Sequence, residues 1–229
     1  MDGPSGTGKT TVARTLADRF GAGYLDTGAM YRAITLAALR SEVDVSDPDA
    51  VTAAAKAAEL TVGTAPNVPV ALLDGDDVAA EIRGEVVTSS VSAVAAVPAV
   101  RDLLVGMQRR IIERVLAERG GIVVEGRDIG TVVAPDAPLK IFLTASADVR
   151  AARRLAQDTA AGREANHVDV LRSVDRRDRL DSTRATNPMR PAADAVELDT
   201  SDLGIGGVVS SLCELAEQRG MVAERGVTP

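Results

Sequence analysis

A short glycine-rich stretch near the start of the chain has the residue types and spacing of a phosphate-binding loop. Residues 3–10 read Gly-Pro-Ser-Gly-Thr-Gly-Lys-Thr and match the pattern G-x-x-x-x-G-K-[ST]. The glycines let successive backbone N–H groups turn inward around an anion, and the positive end of the following helix adds to that attraction. Lys9 would reach the β- and γ-phosphates of a nucleotide, and the Thr10 hydroxyl would ligate Mg²⁺. Because all four required letters are present, a chance glycine turn is the weaker interpretation.

Arginines form the second group of residues that could bind phosphate. They account for 23 of the 26 basic residues, and they are concentrated between residues 150 and 190. Arg32 lies one turn into a helix that Asp26 or Thr27 can cap, and Arg127 follows an apolar strand. Guanidinium groups suit phosphates because their donors match two oxygens at once. The arginines exceed what a triphosphate with Mg²⁺ requires, so the pattern favours two phosphorylated ligands that face each other.

The composition bounds the class of protein. The chain has 45% apolar and 26% charged residues and a net charge of −7, which argues against a nucleic-acid-binding protein. The single cysteine, Cys213, excludes an internal disulfide, and the single histidine, His167, excludes a histidine cluster. The sequence has no run of eighteen apolar residues and no signal peptide, so we expect a soluble, cytoplasmic protein.

The elements that must position these residues alternate between helix and strand. Apolar spacing predicts a helix over residues 11–20, which Gly21 would end. Runs typical of strands occur at 23–25, 121–125, 139–143 and 195–198, and helical patterns follow them. This order predicts an α/β fold with a doubly wound parallel sheet and helices on both faces. The phosphate loop would follow a first strand that ends before Gly3. We expect a single domain over residues 1–229.

A small β-rich insertion interrupts this alternation. A capping motif at residues 46–49 opens a helix, after which residues 60–63 and 68–73 predict strands. Residues 74–77 predict a turn, and residues 78–82 predict a further short element. Helical patterns then return at 89–96 and 98–119, and later at 147–161, 169–179 and 206–218.

Five segments taken together resemble the bacterial cytidylate kinase family. They are the phosphate loop, Leu25-Asp26-Thr27-Gly28-Ala29-Met30-Tyr31-Arg32, Leu73-Asp74-Gly75 with Glu81-Ile82-Arg83, Gly126-Arg127-Asp128-Ile129-Gly130-Thr131, and Arg177-Asp178-Arg179-Leu180-Asp181-Ser182-Thr183-Arg184. They cover nearly the whole chain in the right order, so the resemblance is far more specific than the phosphate loop alone. It implies a P-loop kinase that transfers the γ-phosphoryl group of ATP to CMP or dCMP with Mg²⁺. It also implies a nucleoside monophosphate-binding insertion at residues 61–95 and an arginine-rich lid at about residues 155–168.

The resemblance further implies which residues contact each substrate. ATP would lie on Gly3, Pro4, Ser5, Gly6, Thr7, Gly8, Lys9, Thr10 and Thr11, with Arg154 as a further contact and Arg150 and Arg153 beside it. The CMP phosphate would be held by Arg32, Arg127 and Arg184, the cytosine by Ser92, Arg101 and Asp128, the ribose by Arg177 and Asp181, and Thr27 would also bind CMP. Lys9, Arg127 and Arg184 would be catalytic, and Thr10 would bind the metal, with Glu125 near its water shell. The position of Ser92 depends on counting back from Pro98, so Ser89 and Ser90 stay open as alternatives.

Two other functions fit parts of the sequence. A kinase for another small acceptor, such as UMP or shikimate, would share the phosphate loop, but the insertion and the pair Asp128 and Asp181 favour a nucleoside monophosphate. A GTPase-type switch would carry Asn-Lys-x-Asp, whereas residues 166–169 read Asn-His-Val-Asp. We expect a monomer.

The start of the chain conflicts with the predicted fold. A phosphate loop follows a buried strand of about five or six residues, yet just Met1 and Asp2 precede Gly3. We therefore expect the natural protein to begin upstream of Met1.

Overall fold

Eight α-helices and seven strands make up the described part of the chain. The computed structural model describes residues 1–160, 162–164 and 166–221. The helices are α1 Lys9–Phe20, α2 Thr27–Arg40, α3 Pro48–Ala57, α4 Glu85–Val94, α5 Pro98–Arg119, α6 Ala147–Ala160, α7 His167–Thr183 and α8 Ile205–Gln218. The strands are β1 Gly23–Asp26, β2 Leu60–Val62, β3 Ala71–Leu73, β4 Asp76–Asp77, β5 Ile122–Glu125, β6 Ile141–Thr144 and β7 Val196–Asp199.

Two parallel strand pairs form the central sheet, and the first two residues of the chain join them. β1 pairs with β5 and β6 pairs with β7, each over four residues in parallel register. Between the pairs, Met1 donates its N-terminal amine to Val124 O at 2.8 Å. Asp2 donates its backbone N–H to Ile141 O and accepts the N–H of Leu143, both at 2.8 Å. The resulting strand order, β1-β5-(1–2)-β6-β7, confirms the predicted doubly wound parallel sheet.

Met1 and Asp2 therefore occupy the central place that the first strand was expected to take. Asp2 forms a single parallel bridge with Phe142 instead of a full strand. The expectation that more of this strand lies upstream stays a prediction.

Helices cover both faces of the sheet. On one face, Leu16 of α1 and Leu212 of α8 pack with Leu143 of β6. On the other face, Ile34 of α2 belongs to a larger apolar cluster with Leu25 of β1 and residues of α4 and α5. Burial on both faces explains why the strands read as continuous apolar runs rather than as alternating patterns.

The insertion forms a three-stranded antiparallel sheet in the order β2-β3-β4. Asp74 and Gly75 turn the chain with φ of 53° and 89°, the positive values that a two-residue Asp-Gly hairpin requires. Because two residues suffice for the turn, pairing resumes at Asp76, and the predicted four-residue turn at 74–77 was wrong in its second half. The predicted strand at 68–73 is shorter, starting at Ala71, since Pro69 cannot donate to a ladder. The element at 78–82 ends in a 3₁₀-helix at Glu81–Arg83.

The first half of the insertion is bonded to the core. Tyr24 of the edge strand β1 donates its N–H to Thr64 O at 2.9 Å. Arg14 of α1 donates to Pro66 O at 2.5 Å, and Asn67 donates to the Asp18 carboxylate at 2.6 Å. These bonds cover the exposed edge of the sheet, which a protein otherwise leaves open to unwanted pairing.

The segment predicted as a lid spans the end of α6 and the start of α7, which pack together through Ala151, Val170 and Val174. Ala161 and Ala165, which belong to this segment, lie outside the described residues. Asn166 caps α7 by accepting the Asp169 N–H at 3.0 Å. The helix is longer than the predicted 169–179, so most of residues 177–184 are helical.

Within the described residues no single helix is both long and apolar enough to cross a membrane. Only α4 and α5 taken together, which meet at a bend of 101°, reach the length and composition of a span.

Candidate active site

Three glycines shape the phosphate loop. Gly3, Gly6 and Gly8 have φ of 138°, 80° and 89°, a region that other residues rarely enter. A Cβ atom on Gly3 would lie 2.1 Å from Leu143 O, and one on Gly6 would lie 2.7 Å from Arg150 O. The loop thus packs against β6 and α6 in the backbone conformation that a phosphate nest requires.

Lys9 opens α1 and bends back over this loop. Its ammonium donates to Pro4 O at 2.6 Å and to the Thr7 hydroxyl at 3.4 Å. Burial lowers the pKa of Lys9, and repulsion from Arg127 lowers it further. An anion bound in the loop would relieve both effects, because it would replace the missing solvation with an opposite charge.

A buried carboxylate at the end of β5 lies next to the loop. Glu125 is 4% exposed and accepts the Thr10 hydroxyl at 3.0 Å. Its second oxygen accepts the Tyr24 hydroxyl. Burial raises the pKa of Glu125, and repulsion from Asp26 adds to this rise. A hydroxyl and a carboxylate beside a phosphate site are the oxygen donors that suit Mg²⁺, although the described residues hold no group of three or more His, Cys, Asp or Glu arranged as a metal site.

The start of α2 forms another wall. Asp26, one of the two candidate caps, accepts the Ala29 N–H at 2.9 Å. Thr27, the other candidate cap, instead donates its hydroxyl to Glu125 O at 2.7 Å. Arg32 donates to Ile82 O at 3.0 Å and to the Thr88 hydroxyl at 2.7 Å. Burial lowers the pKa of Arg32 to about 9, with repulsion from Arg177 as the next cause.

A buried arginine and aspartate bond to each other in another wall of the site. Arg101 of α5 is 1% exposed and bonds to the Asp128 carboxylate. Its guanidinium also lies 5.3 Å from the centre of the Tyr31 ring. Arg184 lies 3.6 Å from the other Asp128 oxygen. Burial raises the pKa of Asp128 even though both arginines act to lower it.

α4 and α7 meet at the same wall. The Ser92 hydroxyl donates to Asp181 Oδ1 at 3.3 Å, and Asp181 Oδ2 lies 3.2 Å from Arg127 Nε. Arg177 has no partner for its buried Nε, and burial lowers its pKa to about 10, with repulsion from Arg127 as the next cause. Ser89, an alternative for Ser92, is exposed and donates to a backbone carbonyl of its own helix.

These walls enclose one cavity of about 220 Å³. The predicted site residues that line it are Ser5, Gly6, Gly8, Lys9, Thr10, Thr11, Thr27, Arg32, Ser92, Arg101, Arg127, Asp128, Arg154, Arg177, Asp181 and Arg184. Gly3, Pro4 and Thr7 do not line it, and Thr7 instead donates its hydroxyl to Pro4 O at 3.1 Å. The structure therefore brings nearly all of the predicted residues together around one space.

Two of the arginines of α6 point in different directions. Arg154 lines the cavity and bonds to Asp158 at 3.1 Å. Arg153 instead donates to the hydroxyl and the carbonyl of Thr200, at 2.9 and 2.6 Å, so its guanidinium stays outside the cavity.

Comparison with known proteins identifies the family. The family model for cytidylate kinase matches residues 1–218. The chain belongs to the cytidylate kinase family.

Relatives named cytidylate kinase share more than half of their residues with this chain. The protein of Rhodococcus opacus is 57% identical over 224 residues, which cover 98% of this chain and 96% of the relative. The protein of Nocardia farcinica is 58% identical over 219 residues, which cover 96% of this chain and 93% of the relative. The protein of Mycobacterium avium is 53% identical over 223 residues, which cover 97% of this chain and 96% of the relative. The resemblance drawn from the five sequence segments is confirmed.

Several residues that support the lining of the cavity from behind had no role in the sequence prediction. Asp2 is 4% exposed and accepts the N–H groups of Ile129 and Gly130 at 2.7 and 2.8 Å. Tyr24 reaches Glu125 because β1 and β5 are neighbours, which strand order alone does not disclose. Asp178 lies between the phosphate loop and two arginines. The sequence could have indicated Asp178, because it lies three residues before the predicted site residue Asp181 and therefore on the same face of a helix.

Proposed function

We propose that this member of the cytidylate kinase family transfers the γ-phosphoryl group of ATP to CMP or dCMP, giving ADP and CDP or dCDP. The supporting observation is the cavity of about 220 Å³. Lys9 and residues of the phosphate loop line it together with the buried pair of Arg101 and Asp128. Two phosphorylated ligands, one on the phosphate loop and one beside Arg101 and Asp128, would share this cavity and could bring their phosphates together.

ATP would bind the phosphate loop through the backbone of residues 3–8, with Lys9, Thr10 and Thr11 at the start of α1 and Arg154 on α6. Mg²⁺ would enter with ATP, and Thr10 would hold it while the Thr10 hydroxyl donates to Glu125. When bound, the metal would neutralise charge on the β- and γ-phosphates.

The acceptor phosphate would meet Arg32, Arg127 and Arg184. Phosphoryl transfer needs in-line positioning and charge stabilisation more than proton transfer. Lys9 from the donor side, with Arg127 and Arg184 from the acceptor side, would supply that charge around the transferring group. Thr27 would help to place the acceptor, because its hydroxyl is already bonded at the end of β5.

The base would be selected at Asp128. Cytosine carries an amino donor where uracil carries a carbonyl, and a carboxylate can accept only from the donor. Asp128 has two oxygens with about four acceptor sites, so it can bond to Arg101 and still accept from the base. Ser92 would bind beside it, and Arg177 and Asp181 would hold the ribose.

The alternatives have less support. UMP would place a carbonyl against the Asp128 carboxylate, and shikimate has no base to fill the region of Arg101 and Asp128. A regulatory switch needs no second phosphate-binding corner, whereas Arg32 and Arg184 line the same cavity as Lys9.

The test is a coupled assay of ADP release with CMP, dCMP, UMP, AMP and shikimate in parallel. We expect kcat/KM for CMP to exceed that for UMP by at least about tenfold, the discrimination of a site built around one polar bond. Asp128→Ala should shrink this ratio. Asp102→Ala removes an exposed carboxylate from α5 beside Arg101 and should leave the ratio unchanged. Equal efficiencies for CMP and UMP in the parent protein would contradict the assignment of the base.

The remaining expectations belong to the same proposal. Residues 61–95 would form the acceptor-binding insertion and residues 155–168 the lid of a single domain, acting as a monomer. A cytoplasmic location would suit an enzyme that consumes ATP and CMP.

A further inference from the structure

One carboxylate contacts both halves of the site. Asp178 of α7 accepts the Ser5 backbone N–H through Oδ1 at 3.2 Å. The same oxygen lies 3.6 Å from Arg127 Nη1, and Oδ2 bonds to the Arg150 guanidinium. The Asp178 side chain is 14% exposed, so solvent screens these interactions only partly.

Arg150 completes a clamp around Ser5. Its Nη1 donates to Ser5 O at 3.3 Å, and its Nε donates to Ala145 O at 3.1 Å. The N–H and the carbonyl of Ser5 are therefore bound by Asp178 and Arg150, which also bond to each other. Gly6 lies directly against Arg150, since a Cβ there would be 2.7 Å from Arg150 O. The tip of the phosphate loop is fastened to α6 and α7.

Arg127 connects this clamp to the acceptor side. It donates to Gly3 O at 2.8 Å, at the start of the phosphate loop, and it lies 3.2 Å from Asp181. Asp178 thus holds a loop that would carry ATP and an arginine that would carry the CMP phosphate. A phosphate that draws Arg127 toward itself would change the balance of charge at Asp178, and hence at Ser5.

We propose that Asp178 is a positioning residue that couples the two substrate sites. The inference rests on the proposed function for the identity of the two ligands. Either nucleotide acts on one side of this network, ATP at Ser5 and CMP at Arg127, and the contacts of Asp178 carry the change to the other side, so the second nucleotide meets a site that the first has already adjusted. Coupling of this kind is reciprocal between the two ligands.

The test compares two aspartates on the same helix. Asp178→Asn keeps the size of the side chain and an acceptor for the Ser5 N–H, but it removes the charge. Asp175→Asn removes the same charge one turn earlier, where the carboxylate is 49% exposed and lies 3.8 Å from Arg150. The measurement is the Kd for CMP by calorimetry, without and with a saturating non-hydrolysable ATP analogue.

We expect the parent protein to bind CMP more tightly with the analogue present, within the range of about 5- to 150-fold typical of coupled sites. Asp178→Asn should reduce this ratio to below about threefold, and Asp175→Asn should preserve it. If Asp178 had a purely structural role, Asp178→Asn would weaken CMP binding equally without and with the ATP analogue, and the ratio of the two Kd values would stay the same. A parent ratio near one, or an unchanged ratio in Asp178→Asn, would overturn the proposal.

A second variant, in Arg150 of α6, tests the same coupling through the partner of Asp178. Arg150→Lys keeps the charge but loses the fork that reaches Ser5 O and Asp178 together. It should also lower the ratio, and it decides the question if Asp178→Asn does not fold. The proposed function fails separately, if the parent protein forms no CDP.

Discussion

At the scale of single residues, the cavity carries far more positive than negative charge. Among the described residues, seven arginines and Lys9 line it, against the four carboxylates of Asp26, Glu125, Asp128 and Asp181. Burial lowers the pKa of Arg32 to about 9 and that of Arg177 to about 10. An arginine stays charged in proteins, so these shifts express a free-energy cost of holding cations together in a buried space. The arrangement favours binding of anions over stability of the empty protein.

Arg32→Met should therefore stabilise the ligand-free protein while weakening CMP binding. A base whose pKa is lower in the folded state costs stability at every pH below that folded value, here about 9. Removing the charge should raise the free energy of unfolding by about 1 kcal/mol, after the lost bonds to Ile82 and Thr88 are deducted. The gain should hold from pH 6 to pH 8, because the guanidinium is charged in both states throughout that range.

Denaturant unfolding without ligand and calorimetry with CMP measure the two effects. Arg40→Met is the control, because Arg40 lies on the same helix but is 39% exposed and pairs with Glu81. It should slightly destabilise the protein and leave CMP affinity unchanged. Loss of stability in Arg32→Met, without ligand, would contradict the account of the crowded arginines.

At the scale of elements, periodicity and end signals predicted most of the fold. Gly21 ends α1 with φ of 64°, and Asp47 caps α3 by accepting the N–H groups of Asp49 and Ala50. Local chemistry determines such ends, so the sequence reveals them. The hairpin at Asp74 and Gly75 was placed correctly, but its second strand was missed because Asp76 and Asp77 have side chains that are rare in strands.

The sequence predicted less of the site than of the helices and strands. The pattern identified Lys9 and the arginines, because phosphate chemistry constrains their types and spacing. Asp2 and Tyr24 act through residues that are more than 100 positions away in the chain. No local pattern encodes such pairs, since they depend on which strands become neighbours.

The insertion and the lid should become more protected when both substrates are bound. Two charged substrates must enter, and water must then be excluded so that ATP is not hydrolysed. We expect a bisubstrate analogue to slow amide exchange across residues 61–95 and 161–184. The effect should be largest in α4 and α7, which carry Ser92, Arg177 and Asp181, and smaller near Thr64, whose carbonyl is already bonded to β1.

Hydrogen-exchange mass spectrometry with the analogue, and with the ATP analogue alone as the control, measures this protection. Closure around both ligands requires more protection with the bisubstrate analogue than with the ATP analogue alone. Unchanged exchange in both segments at saturation would refute closure.

At the scale of the whole molecule, the two halves of the sheet are joined through Met1 and Asp2. β5 bonds to Met1 on one side, and β6 bonds to Asp2 on the other. The Asp2 side chain also holds the N–H groups of Ile129 and Gly130, directly after Asp128. The same residue therefore precedes the phosphate loop in the chain and anchors the segment that follows β5.

Asp2→Ala should destabilise the whole protein and weaken both ligands together. It leaves two buried N–H groups without their charged acceptor, and hydrogen bonds to charged groups contribute about 1.5–3 kcal/mol each. We expect the free energy of unfolding to fall by about 3 kcal/mol or more, with Asp2→Asn intermediate because its amide oxygen can keep one of the two bonds. Denaturant unfolding measures this loss.

Asp102→Ala, which removes an exposed carboxylate, serves as the control and should leave the free energy of unfolding nearly unchanged. In Asp2→Ala, the Kd values for CMP and the ATP analogue should rise by similar factors, so their coupling should survive, unlike in Asp178→Asn. A loss of CMP affinity alone, with normal stability, would mean that the Asp2 side chain serves only the loop at Ile129 and Gly130 and does not stabilise the whole protein; the backbone bonds that join the halves of the sheet remain in both variants.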